Sequence, residues 1–449
     1  MKILLINPPL PWKSSTMHPL GLGYIAAVLH KNNYQAKAID MFDWGWDKVE
    51  ESIRQESPDI LGISCLTNAR ANSFRTAGIA KKINPKIKVI LGGPHASFMY
   101  QQILEHYPAD VIVIGEGEIT ALELVRAFQE DKDLSSVAGI AFKNNGKITV
   151  TKERLFIDDL DSIPFPAHGQ FDLKRYKKEG VDVDKFLVDI ITSRGCPFKC
   201  LFCSSCKFWG KVWRYRSAKN VADELEYLKK NFSVDAFNFS DDIFTMRQDN
   251  VISLCKEIID RRLNITWFAQ SRVNCVSRPM LEWMKKAGCK TIAYGIESGS
   301  PGILKTIDKD ITVEQAIEAF RITKEVGLNA DAFFMVGNPG ETDETIKETC
   351  ALIDKIQPHH IVVSVTVIYP QSGLYELAKQ NNLINDDYWL SGRPAPAYTV
   401  EWPESKLSFW RMKILFHFLK SKGFGYTVKK MLSTPRKNIV TSLAGLFKR

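Results

Sequence analysis

Three cysteines within eight residues, Cys196-Pro-Phe-Lys-Cys200-Leu-Phe-Cys203, place three thiolate ligands in one tight loop. Such a loop can hold three irons of a four-iron, four-sulfur cluster and leaves the fourth iron without a protein ligand. Clusters that only carry electrons take four cysteines and close every iron. An open iron therefore points to a cluster that binds a small molecule directly. Zinc is the competing chemistry, but zinc loops pair one C-x2-C with a second pair or with histidines downstream. Cys206 extends the run to C-x3-C-x2-C-x2-C and makes a four-thiolate site formally available. No zinc motif crowds four ligands so closely, and Cys206 is read as a structural thiol. Cys65, Cys255, Cys275, Cys289 and Cys350 stand singly in apolar stretches and read as small core residues. This usage suits a reducing cytoplasm rather than a disulfide scaffold.

A chain of 449 residues exceeds one ordinary core, so two or three domains are expected around this loop. Residues 1–135 alternate strand candidates at 2–7, 35–40, 59–64, 87–92 and 110–114 with helical stretches such as 21–31 and 71–83. That βαβ repeat predicts an α/β, doubly wound parallel sheet. Ligands of such sheets sit outside the carboxyl ends of the strands. Those ends read Ser64-Cys-Leu-Thr67, Gly92-Gly93-Pro94-His95 and Gly115-Glu116-Gly117-Glu118, small enough for a large planar ligand to approach the backbone. None is a G-x-G-x-x-G fingerprint, which speaks against a nicotinamide dinucleotide.

Residues 136–185 read as a bridge: a hairpin at 138–142 and 147–151 around Asn144-Asn145-Gly146, then an extended linker at 161–167. His168 in that linker reads as structural. Residues 186–370 repeat strand and helix, with strand candidates at 186–192, 236–240, 265–270, 290–294, 330–335 and 361–368. The cysteine loop follows the first of these, at the end where parallel barrels place their chemistry. Residues 371–449 form a mixed and then basic C-terminal region, whose Pro- and Trp-containing part is a candidate cover for the barrel mouth.

The C-x3-C-x2-C loop, led by Thr192-Ser193-Arg194-Gly195, closely resembles that of the radical S-adenosylmethionine (SAM) enzymes. In that family the open iron chelates the amino and carboxylate groups of SAM, and one electron cleaves the sulfonium to give a 5′-deoxyadenosyl radical. Residues 1–135, with Pro19-Leu-Gly21-Leu-Gly23-Tyr24 opening the first helix, resemble the flavodoxin-like cobalamin-binding domain that precedes many radical SAM domains. The resemblance implies a partial (β/α)6 barrel for 186–370 and three cofactors: a [4Fe-4S] cluster, SAM and cobalamin. It implies Cys196, Cys200 and Cys203 as catalytic cluster ligands. It implies Phe202 against adenine, Asp241 or Asp242 on the SAM ammonium, Gln270 and Arg272 at the third strand end with Arg272 on the carboxylate, Glu297 and Ser298 on the ribose, and the backbone at Gly337 near adenine. For cobalamin it implies Ser64, Thr67, Gly93, Pro94, His95, Gly115, Glu116 and Gly117. Glu224 and Arg214-Tyr-Arg216-Ser217 resemble the family too and are assigned to structure. One departure stands out: none of the eight histidines has Asp two positions before it, so the D-x-H-x-x-G motif is absent and supplies no axial histidine to cobalt.

The net charge of +9 belongs to the tail: 405–449 holds 11 Lys and Arg and no acidic residue, leaving 49 basic against 51 acidic residues elsewhere. The body thus lacks the footprint of a specific nucleic-acid binder. No apolar run reaches the roughly 18 residues needed to span a bilayer, and the N-terminal apolar run is too short for a signal peptide. In the tail, Lys406, Lys413 and Lys420 recur every seven residues, as do Phe409 and Phe416; Ile439, Leu443 and Phe447 repeat the pattern in a second helix. A helix packed on the barrel is preferred, and a basic helix lying on an anionic membrane is the second option.

These readings converge on a cobalamin-dependent radical SAM enzyme of the cytoplasm, with peripheral contact at the inner face of the membrane as an option. Its substrate would be a small or lipid-like molecule, its electrons those of a flavodoxin or ferredoxin, and its expected chemistry methyl transfer to an unactivated carbon. Radical ring formation, as in anaerobic porphyrin cyclases, is the alternative, and a non-catalytic iron–sulfur and cobalamin sensor is the reading from another class. Methylthiotransferases fit poorly, because they need three cysteines in the first domain and only Cys65 precedes Cys196.

Overall fold

The computed structural model describes residues 1–13, 15, 17–176 and 187–423. Its first sheet contains β1 (Ile3–Asn7), β2 (Ala36–Asp40), β3 (Ile60–Ser64), β4 (Lys88–Gly92), β5 (Val111–Val113), β6 (Ile140–Asn144) and β7 (Lys147–Val150). They run in the order β2-β1-β3-β4-β5-β6-β7. β1 to β5 are parallel, and most of their residues are buried, as expected where helices cover both faces. The order reverses between β1 and β3, the flavodoxin-like switch point at which a crevice opens. The hairpin foreseen in the bridge is present, and it extends this same sheet by pairing antiparallel with β5. Its two-residue loop has Asn145 and Gly146 at φ of +49° and +80°, the left-handed pair that a tight hairpin with right-twisted strands requires.

The second unit has β8 (Leu187–Ile190), β9 (Ser193–Arg194), β10 (Arg214–Tyr215), β11 (Ala236–Phe239), β12 (Thr266–Ser271), β13 (Cys289–Glu297), β14 (Asn329–Val336) and β15 (Ile361–Val365). Six of them form an all-parallel half-barrel ordered β15-β14-β13-β12-β11-β8. The cysteine loop lies between β9 and β10, whose short antiparallel ladder closes its base. Capping boxes at Thr312 and Thr342 start the helices Val313–Glu325, before β14, and Asp343–Ile356, after it.

Two later segments hold the units together. After the barrel, Trp389 is buried against the first domain, and Arg70 donates to the carbonyls of Trp389, Ser391 and Arg393 at 2.8 Å each. The helix Glu404–Lys422 then packs along β15 and the helix Asp343–Ile356, burying Leu407, Trp410, Ile414 and Phe418. Arg411 donates to the Val363 carbonyl at 3.0 Å, satisfying part of the exposed edge of β15. The packed reading of the tail therefore holds for its first helix; the second, with Ile439, Leu443 and Phe447, lies outside the described residues. Among the described residues no helix is long and apolar enough to cross a membrane.

Candidate active site

The cysteine loop is shaped by backbone necessity before any cofactor is considered. Gly195 has φ of +93°, and a Cβ there would stand 2.2 Å from the Val212 carbonyl oxygen. Only glycine meets both conditions. Gly195→Ala is expected to yield folded protein that takes up little iron on reconstitution, because the loop must shift to relieve the contact. Iron content near that of the wild type would contradict this.

Asp241, at the end of β11, anchors the strand leading into the loop. Its Oδ1 accepts from the Thr192 amide at 2.9 Å, the Thr192 and Ser193 hydroxyls at 3.0 and 2.6 Å, and the Ser193 amide. Burial still pushes its carboxyl up to about 6, against the pull of those bonds. Its Oδ2 is buried with no partner among the described residues. Asp242 accepts from the Ser205 hydroxyl at 2.6 Å and lies close enough to Cys196 and Cys203 to raise both thiols. Of the two predicted ammonium partners, Asp242 is the one that faces the cysteines.

The donor set suits a cluster. Burial pushes Cys196 up to about 11 and Cys203 up to about 12, so thiolates here need a strong local cation to hold them. Among the described residues no three ligating side chains converge as on a single ion, whereas three cysteines on three different irons need not. Arg272 donates to Cys200 Sγ at 3.4 Å and the Ser205 amide to Cys203 Sγ at 3.4 Å. Bonds of this kind tune a cluster through its sulfurs.

This placement changes the expectation for Arg272. Its guanidinium lies 3.6 Å from the Phe198 ring centroid and also donates to the carbonyls of Lys309 and Asp310. It belongs to the cluster side of the site, not to a waiting salt bridge. Glu297 sits at φ of +71° with Oε1 2.8 Å from Lys309 Nζ, both buried. Lys309 also reaches over the Phe202 ring at 5.9 Å. Sequence reasoning missed Lys309, which sits in a surface-like Asp308-Lys309-Asp310 run and acquires its role only when β13 and the cysteine loop meet. Ser298 is engaged locally, accepting from the Ser300 amide at 3.2 Å and lying 3.4 Å from the Thr349 hydroxyl. Gly337, at φ of +87°, is covered by Leu407, which a Cβ would meet at 2.8 Å. Gln270, the penultimate residue of β12, is exposed.

A cavity of about 690 Å³ opens at the carboxyl ends of the first sheet. Ser64, Gly93, Pro94, Gly115, Glu116 and Gly117 line it, and on the far side so do Ile191 and Ser240 of the barrel. Its volume is that of a cofactor site. Gly115 adds a cradle: a Cβ there would meet nothing within 4 Å, so the wall is open where a large ring would lie. These features fit cobalamin. Thr67 and His95 are not in the wall. His95 is fully buried beside Phe74 and Trp389 with ring centroids at 6.2 and 5.8 Å, and burial drops it to about 3, keeping it neutral. His18 does line the cavity and was missed. Its Nε2 lies 3.1 Å from His168 Nδ1, and His168 Nε2 lies 2.7 Å from Glu224 Oε1. Burial would raise Glu224, but the Arg216 guanidinium and His168 hold it down at about 2. His168, Arg216 and Glu224 are thus structural, as expected from sequence.

The two sites are joined by buried charge. Arg194, two residues before Cys196, pairs with Glu116 at 2.8 Å and Glu118 at 2.6 Å. Arg214 pairs with Glu116 at 2.9 Å, and the Ile157 amide donates to the same carboxylate at 2.7 Å. Glu116 therefore reaches the cavity with its carboxylate already spent on the domain junction.

Residues 14–125 match the B12 binding domain family, and residues 190–353 match the radical SAM superfamily. The chain is 36% identical to an uncharacterized methyltransferase of Pyrococcus horikoshii over 96% of this chain and 93% of that one. It is 34% identical to the anaerobic magnesium-protoporphyrin IX monomethyl ester cyclase of Rubrivivax gelatinosus over 80% of this chain and 66% of that one. Its fold is similar to that of the cobalamin-dependent SAM radical enzyme OxsB, solved with aqua-cobalamin and SAM bound. The TM-score is 0.70 and the identity 21%, over 88% of this chain and 57% of that one.

Proposed function

This chain belongs to the cobalamin-binding radical SAM enzymes, and from that membership we propose that it methylates an unactivated carbon of a small or lipid-like molecule, using electrons from a flavodoxin or ferredoxin. The observation that carries the reading is the shared mouth of the two sites. The first-sheet cavity reaches Ile191 and Ser240 at the carboxyl ends of β8 and β11, beside the cysteine loop. When bound, the cluster with SAM would supply hydrogen abstraction through an adenosyl radical, and methylcobalamin a methyl group. The protein's own share is to position and to exclude water. Cys196, Cys200 and Cys203 would hold three irons, Asp242 would face the SAM ammonium, and Glu297 with Lys309 would meet the ribose side. Ser64, Gly93, Pro94, Gly115 and Gly117 would let the corrin approach the backbone. Phe208 and Trp209 border the cavity on the barrel side and would keep solvent from radical species.

Radical ring formation is the second reading, favoured by the likeness to the cyclase. Anaerobic reconstitution with iron, sulfide and hydroxocobalamin, then SAM and dithionite, tests both. The expected products are 5′-deoxyadenosine and S-adenosylhomocysteine. 5′-Deoxyadenosine without S-adenosylhomocysteine would favour ring formation. No SAM cleavage from cluster-loaded, reduced protein would leave two options: cleavage that requires the missing substrate, or the sensor reading.

A further inference from the structure

The helix Glu404–Lys422 carries two apolar stripes, one buried against the barrel and one turned outward. Leu407, Trp410, Ile414 and Phe418 are buried against the barrel. On the outer side Phe409 and Phe416 are 57% and 54% exposed, and the half-buried Met412 lies between them at helical spacing. A second apolar face on the outside of a surface helix marks an interaction site. Most of its charged neighbours are lysines. Beside Phe416 a groove of about 490 Å³ runs between this helix and Asp343–Ile356, lined by Lys347, Lys413 and Lys420 together with His417 and Asp354. His417 lies 2.8 Å from Asp354 and takes up the groove's one carboxylate. The lysines then set its sign. From Ser405 to Lys422 the helix has no acidic residue at all.

We propose that this face docks on an anionic phospholipid surface, with Phe409 and Phe416 entering the acyl boundary and the lysine groove receiving lipid phosphate. Aromatic and lysine side chains interleaved on one outward face suit that interface, where rings sit at headgroup depth and each cation near the surface adds attraction. The arrangement also has a consequence for the barrel. Leu407, at the start of the helix, packs on Gly337 at the carboxyl end of β14, and Trp402 donates to the Glu341 carbonyl at 2.7 Å. A lipid-docked helix would thus hold the barrel mouth next to the bilayer, where a membrane-dissolved substrate is concentrated. The inference rests on this helix and stands apart from the reaction proposed above.

Co-sedimentation of the full-length protein with vesicles of phosphatidylglycerol and phosphatidylcholine, against vesicles of phosphatidylcholine alone, tests it. Binding to the anionic vesicles and release by salt are expected. The double variant F409S/F416S should bind at least about tenfold more weakly, with an unchanged thermal midpoint because both rings are exposed. K413E/K420E should abolish binding. Failure of the wild type to bind anionic vesicles overturns the proposal. So does wild-type affinity in F409S/F416S, which would mean that charge elsewhere in the chain does the binding.

Discussion

Alanine at any one of Cys196, Cys200 or Cys203 is expected to abolish SAM cleavage, a loss of at least about six orders of magnitude if measured against the acceleration typical of enzymes. Burial, with Asp242 and the neighbouring cysteines, raises Cys196 and Cys203, and burial alone would keep both protonated. Removing one ligand would leave only two thiols to hold the cluster; Cys200→Ala also removes the sulfur that accepts from Arg272, and Cys203→Ala the one that accepts from the Ser205 amide. Iron and sulfide content, the electron paramagnetic resonance of the reduced protein and the yield of 5′-deoxyadenosine should fall together. Cys206→Ala is the internal control. Cys206 sits in the short helix Ser205–Phe208, so iron content and SAM cleavage should stay close to wild type. Full activity in Cys200→Ala, or equal loss in Cys206→Ala, would mean that the ligand set has been misassigned.

Arg194→Met should give the second large effect, on the relation between the two sites rather than on either alone. The substitution keeps most of the side-chain length but removes the cation that Glu118 and Glu116 share. Glu116 retains Arg214, whereas Glu118 loses its partner in a buried position. Breaking a buried pair from one side costs about 3–5 kcal/mol, and a lowered thermal midpoint of the apo-protein should report it. Arg194→Lys keeps the charge but not the planar fork that reaches two carboxylates, so its loss should be smaller. A role beyond stability has its own signature. Because Arg194 ties the cavity loop 115–118 to the residues leading into the cysteines, the magnetic interaction between cob(II)alamin and the reduced cluster should weaken in the variant that still loads both. Relaxation of the cob(II)alamin signal identical to that of the wild type would show that Arg194 only stabilises the fold.

Much of this site is legible in the amino-acid order. The cysteine loop, the glycine-rich strand ends of the first domain and the hairpin at Asn145-Gly146 are local features, set by a few adjacent residues and by backbone sterics. The strands of the first domain fall within a residue or two of their expected bounds for the same reason. The later barrel strands are less sharply read. β13 runs on to Glu297 through a register shift beside Gly295, and β15 stops at Val365 although apolar residues continue to Ile368. In each case the neighbouring strand and the loop beyond it, not the strand's own residues, decide where the ladder ends.

What tertiary structure alone decided is how each polar group is spent. The sequence offers Asp241, Arg272, Ser298, Glu116 and His95 as ligand contacts because of where they fall along the strands. Folding commits Asp241 to the strand before the cysteines, Arg272 to Cys200 and the Lys309 carbonyl, Glu116 to two arginines, and His95 to an apolar wall. It also brings in His18 and Lys309, whose partners are 150 and 12 residues away. The physical reason is the cost of burying polar groups: most buried charges and hydrogen-bonding groups take a partner the fold provides, and His95, whose ring nitrogens have none among the described residues, is kept neutral by burial. Spacing along the chain determines which chemistry is available, and only packing determines which of those groups is left for a ligand.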